Sequence, residues 1–189
     1  MSTRQITRRF AGMFIFMIAV ALTGADDAKK IIDAGGLVFE APTTWKSSPP
    51  RSNMRRAQLK VGPEAGDEEP GELVVYAFPG GAGTVDDNIK RWEGQFLTEK
   101  GGRAKADTKQ VKTKNTTATR VEITGRYVAP LFPGSNETND KPNYRLLGAI
   151  VITETTGYFF KLIGPEKTLV KHREEFDKLV DSIKVEEQK

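Results

Sequence analysis

Three glycines, Gly80, Gly81 and Gly83, lie in the stretch FPGGAGTVDDNIKRW, between an apolar run and a helix start. A glycine-rich loop leading into a helix can hold a phosphate on its backbone N–H groups. That chemistry needs a specific order: G-x-x-x-x-G-K-[ST] for a P-loop, G-x-G-x-x-G for a dinucleotide loop. Neither order occurs, no lysine follows until Lys90, and Asp86 and Asp87 would repel a phosphate. The stretch reads as a structural turn.

His172 is the only histidine and so the first candidate for acid–base work or metal binding. A metal would need further nitrogen or oxygen ligands beside it, and a serine hydrolase would need a G-x-S-x-G elbow or an equivalent set, which is absent. Its spacing from Phe176 places it at the edge of an apolar helix face, a packing position. Asn136, Glu137, Asn139 and Asp140 offer oxygen ligands in one loop, but not in the D-x-[DN]-x-[DN]-G order of a calcium hand. Any two carboxylates could be joined by the fold into a hydrolytic pair, and nothing in the sequence singles out a pair. No catalytic, cofactor-binding or metal-binding residue is assigned, and no cofactor is expected.

The elements that would position such groups come in a clear order. GLVFEAP, MRRAQLKVG and ELVVYAFP (35–42, 54–62 and 72–79) have the composition and length of strands. Thr84 is a good N-cap with Asp87 three residues on, and Val85, Ile89, Trp92 and Phe96 make one apolar face, predicting a helix from Val85 to about Lys100. Residues 109–114 and 119–129 read as a hairpin, followed by a long polar loop, Pro130 to Asn143. YRLLGAIVIT and YFFKLIGP, joined by ETTG, are dense enough in apolar residues to be central strands covered on both faces. The segment EKTLVKHREEFDKLVDSIK predicts a second amphipathic helix, with Leu169, Phe176, Leu179, Val180 and Ile183 on one side. Trp45, Trp92, Tyr127, Tyr144 and Tyr158 read as core rather than as a ligand cleft.

The first 25 residues are expected to be a signal peptide: Arg4, Arg8 and Arg9, then the apolar run AGMFIFMIAVAL, then Thr23 and Ala25 at a cleavage site. That run is short for a bilayer span, so no stable membrane span is expected after cleavage. Residues 1–25 hold three of the 29 Lys and Arg and none of the 25 Asp and Glu, so the remaining 164 residues are close to neutral, 26 against 25. The premise for a nucleic-acid partner is thereby lost. There is no cysteine, hence no disulfide, and a chain of this length can bury a core without one. The expected organisation is a signal peptide (1–25), a flexible segment (26–34) and one domain (35–189).

Strands, a helix, four strands and a terminal helix, with TVDDNIKRW, YRLLGAIVIT followed by GYFFKLIGP, and EEFDKLVDSIK, resemble the PsbP-like superfamily from Gly35 to Lys184. The likeness is greatest to its small exported bacterial members. It implies an α+β fold, a central antiparallel sheet of six or seven strands with helices packed on both faces. Characterised members include an extrinsic subunit of the oxygen-evolving photosystem and a binder of a small GTPase in nuclear import. No functional motif matches residue by residue, so neither role carries over. The expected function is an exported, periplasmic or extracellular, non-catalytic binding or accessory protein of the cell envelope, whose partner is an envelope protein or a small ligand. The rivals are an envelope hydrolase using carboxylates and a lipid or small-ligand carrier with a cavity at Trp92 and Phe96. The oligomeric state is left open.

Overall fold

The computed structural model describes residues 28–132 and 134–186; residues 1–25, read above as a signal peptide, lie outside them. In chain order the elements are β1 (Lys29–Asp33), β2 (Leu37–Pro42), β3 (Lys46–Ser47), β4 (Arg55–Val61) and β5 (Gly71–Pro79). Then follow α1 (Val85–Glu93), β6 (Phe96–Leu97), β7 (Asp107–Lys112), β8 (Thr117–Tyr127), β9 (Lys141–Ile152) and β10 (Thr156–Pro165). The chain closes with α2 (Glu166–Lys171), α3 (Arg173–Asp181) and β11 (Lys184–Val185).

Eight strands form one antiparallel sheet in the order β3-β4-β5-β10-β9-β8-β6, with β7 also paired to β8. The sequence places its two most apolar runs, β9 and β10, at the centre. Alternation on β10 sends Tyr158, Phe160 and Leu162 to one cluster and Phe159 to the other, so both faces are buried, as a continuous apolar run requires. Their turn is tied by Thr153, whose N–H donates to the Thr156 carbonyl at 2.9 Å. Burying a ring such as Phe160 contributes roughly 2–3 kcal/mol, and such rings recur along the sheet.

The expected sandwich with helices on both faces is corrected by this architecture. Strand makes up 47% of the described residues and helix only 15%. The three helices among the described residues have nine, six and nine residues, too short to make a layer. The larger cluster is closed in good part by a second sheet, β1-β2-β11, whose Phe39 meets Phe160 edge-on at 5.2 Å. Two local causes explain the missing helix. The predicted helix from Val85 starts on its Thr84 cap but stops at Glu93; Gly94 follows, and Phe96 turns back as a strand residue paired with Tyr127. The C-terminal helix breaks at His172, where ψ is 8°. Residues 29–33, within the segment expected to be flexible, pair with β2 along their whole length.

The smaller cluster packs α1 on the opposite face, with Trp92, Phe96, Phe159, Val121, Ile123, Leu146 and Ile150 buried together. Trp45 and Trp92 are buried, at 0% and 2% exposure, as their core reading expected.

Candidate functional site

One end of the sheet gathers the C-terminal ends of β4, β8 and β10 and the first residues of β5 and β9. Two features stand there, the loop between β8 and β9 and a cleft beside it.

The loop is built rather than slack. Pro130 bridges Thr138, the Leu131 N–H donates to the Glu137 carbonyl at 3.0 Å, and the Asn139 N–H donates to the Ala129 carbonyl at 2.8 Å. The Asn139 side-chain amide donates to the same carbonyl at 2.9 Å, and Arg126 pairs with Asp140 at the base. These bonds hold Leu131 and Phe132 out in solvent, 52% and 64% exposed.

The cleft, of about 830 Å³, opens between the acidic turn 63–70, the start of β9 and the first turn of α2. Five carboxylates line it, Glu64, Asp67, Glu68, Glu69 and Glu166, against Lys141 and Lys167. The acidic turn is fastened to α2 through Thr168, which is fully buried. The Thr168 N–H and hydroxyl donate to Asp67 Oδ2 at 2.9 and 2.6 Å, and the Glu64 N–H donates to the Thr168 hydroxyl at 3.0 Å. Glu64 pairs with Lys171; Glu69 accepts from Lys141 and from the Tyr144 hydroxyl. The Lys171 contact holds the Glu64 carboxyl below its ordinary range, and Lys141 followed by Tyr144 does the same for Glu69. Tyr144 is pushed up by burial and then by Glu69. Its ring stacks on Tyr127 at 6.1 Å, and burial raises the Tyr127 phenol to about 12. Glu166 of the cleft wall is in turn held by Arg145, which also pairs with Glu122, and Arg173 reaches Glu122 at 2.8 Å.

The residues singled out from the sequence fall elsewhere. Gly80, Gly81 and Gly83, at the far end of the sheet, have φ of 80°, 91° and 83°, a left-handed turn that glycine allows; the Gly80 N–H donates to the Thr155 carbonyl at 2.7 Å. His172 sits at the α2–α3 joint, bonded to Glu175 and edge-on to Trp45 at 6.1 Å. Of the four residues with ligand oxygens in the loop, Asp140 is taken by Arg126, and Asn139 is anchored to its own loop through its amide nitrogen. Among the described residues no group of three or more histidines, aspartates or glutamates is placed to hold a metal. Trp92 fills the space over Gly148 and meets Phe159 at 6.4 Å.

Sequence reasoning missed Lys161. It lies on the α1 side of β10, with Nζ donating to Gln95 Oε1 at 2.8 Å and lying 5.3 Å from the Trp92 ring centre. Burial, with Arg91 adding repulsion, pushes its ammonium down to about 7. The signal was present: a lone charge in the middle of the apolar run YFFKLIGP.

The sequence matches no family model and no curated protein. Among solved structures, cyanobacterial PsbP from Synechocystis sp. PCC 6803 is 15% identical, with 86% of this chain and 95% of that one covered at a TM-score of 0.54. The fold is PsbP-like. A Pseudomonas aeruginosa protein of unknown function is 12% identical over 85% of this chain and 99% of its own, TM-score 0.48. A Bacteroides thetaiotaomicron protein is 13% identical over 85% of this chain and 48% of its own, TM-score 0.41. None of the described helices in this PsbP-like fold is long and apolar enough to cross a membrane.

Proposed function

We propose that this is an exported, non-catalytic binding or accessory protein of the cell envelope that meets a protein partner at the loop 130–143 and the cleft beside it. The observation that carries the reading is the loop: a hydrogen-bonded scaffold that keeps Leu131 and Phe132 in water. Two adjacent apolar side chains held in water offer a surface that a partner would cover. The acidic cleft beside it supplies a charged rim, the common anatomy of an interface.

The cleft chemistry favours binding over hydrolysis. A carboxyl that protonates a leaving group must be raised toward neutrality, whereas Glu64 and Glu69 are held low by fixed cations. Export follows from the arginines, apolar run and small residues of 1–25, and N-terminal sequencing of protein recovered from the producing cells tests it: Asp26 is the expected first residue.

The test of function is affinity capture from the envelope of the producing cells, comparing the wild-type protein with a Leu131→Ser, Phe132→Ser variant. The reading expects a stoichiometric partner with the first that the second fails to retain. Equal recovery by both would count against the loop, and no partner with either would count against the accessory role.

A further inference from the structure

Lys161 stands on the α1 side of β10 among groups that disfavour a charge. Its strand partners are Val74 on β5 and Gly148 on β9, and Trp92 fills the space over Gly148. Phe159 and Ile163, two residues away on either side, belong to the smaller apolar cluster. Arg91 on α1, bonded to Asn88, adds repulsion. No carboxylate compensates: Glu72, opposite Ile163 on β5, accepts from Gln58 at 2.6 Å. Arg55 on β4 is engaged by Gln58 and the Tyr76 ring, and the phenols of Tyr76, Tyr127 and Tyr144 on this face are raised by burial and stay neutral. Lys161 forms none of the ion pairs made by the described residues; its acceptor is the neutral Gln95 Oε1, at 2.8 Å.

An ammonium held this way costs stability that an apolar side chain in the same place would not, and local conflicts of this kind mark functional positions. Apolar neighbours that strip water from an amine, and a second cation beside it, are the two features that turn a lysine into a nucleophile. Lys161 has both. An ordinary lysine is neutral in roughly one molecule in 2,500 at pH 7, whereas the Lys161 amine, pushed down to about 7, is neutral in about half. Donating one N–H to Gln95 leaves the nitrogen lone pair free. Lys161 is only partly buried, as are Tyr76 and Ile163 beside it, so solvent and small solutes reach the side chain.

We propose that Lys161 is a covalent attachment site for a small carbonyl compound, which it holds reversibly as an imine. The Nζ lone pair attacks the carbonyl carbon, the C=O π electrons move to oxygen, and a proton passes from nitrogen to that oxygen. Loss of the hydroxyl as water, with the second nitrogen proton, closes the C=N bond. No oxidant or reductant is needed, and addition of water returns the amine and the carbonyl compound.

The experiment treats the folded protein with acetaldehyde and cyanoborohydride, which reduces an imine to a stable secondary amine, and maps the ethylated lysines by peptide mass spectrometry. The reading is the initial rate at Lys161 divided by that at Lys109 and Lys112, both exposed on β7; the ratio cancels the pH dependence of the reagents. The proposal expects Lys161 to react at least tenfold faster at pH 7, with the ratio falling toward pH 10 as exposed lysines lose their protons. Arg91→Gln, at an exposed position, relieves the repulsion and should lower the ratio at pH 7 while leaving it unchanged at pH 10; circular dichroism checks that the variant is folded. A ratio near one at pH 7, a ratio that does not change with pH, or no product at Lys161 would overturn the proposal. An unchanged ratio in the variant at pH 7 would overturn the role given to Arg91.

Discussion

The Trp92 indole rests on Gly148: a Cβ at that position would come within 2.6 Å of the ring carbon Cζ3. Glycine is thus the residue that lets α1 lie down on β9 at the centre of the sheet. Gly148→Ala should destabilise the protein by about 1–3 kcal/mol, the usual cost of overpacking a filled core. Urea denaturation measures it, and pairing the change with Trp92→Leu should recover part of the loss.

Lys161 gives a pH signature. Below about pH 7 its amine is charged in folded and unfolded chains alike, so the cost of desolvating it is fully felt. Above that, the folded protein sheds a proton that the unfolded chain keeps until about pH 10.4. The unfolded state then binds more protons, so this group makes stability rise with pH across that window. Lys161→Met should therefore stabilise the protein at pH 6, by up to about 4 kcal/mol, with the gain fading toward pH 10. Thermal melts across that range check the trend; a gain that grew with pH would contradict it.

Asp67 holds the acidic turn on α2 through the buried Thr168. Asp67→Ala would leave that N–H and hydroxyl without their acceptor, a loss of about 1–3 kcal/mol. Hydrogen exchange should quicken across 63–70 while β9 and β10 stay protected. Unchanged exchange would mean that the turn is held by Glu64 and Lys171 instead.

Leu131 and Phe132 make the contrary case. Replacing both with serine should alter stability by no more than about 0.5 kcal/mol, because neither side chain is packed, while partner binding is lost. Thermal melts and the capture experiment separate the two effects.

Much of this fold was legible because period and composition agreed. β5, β9 and β10 are dense apolar runs, and the Thr84 cap marks the start of α1 within a residue. What failed was continuation. Val85, Ile89, Trp92 and Phe96 keep helical spacing, yet Phe96 reaches the same cluster from a strand, since a buried ring can be delivered by either geometry. The second sheet was hidden for the same kind of reason: Lys29–Asp33 has little apolar content of its own, and its strand conformation depends on β2. Of the candidate site, the acidic turn and polar loop could be seen as segments, but their meeting at one end of the sheet is set by pairings between strands far apart in sequence. Lys161 was overlooked because its neighbours, not its own type, set its chemistry.

The most direct test of the docking reading is photocrosslinking in the producing cells, with a photoreactive residue at Phe132, at Lys167 on the cleft wall, or at Lys109 on the distant strand β7. The account predicts one crosslinked species of the same mass from 132 and 167, absent from 109. No discrete product from 132, or the same product from all three positions, would contradict it.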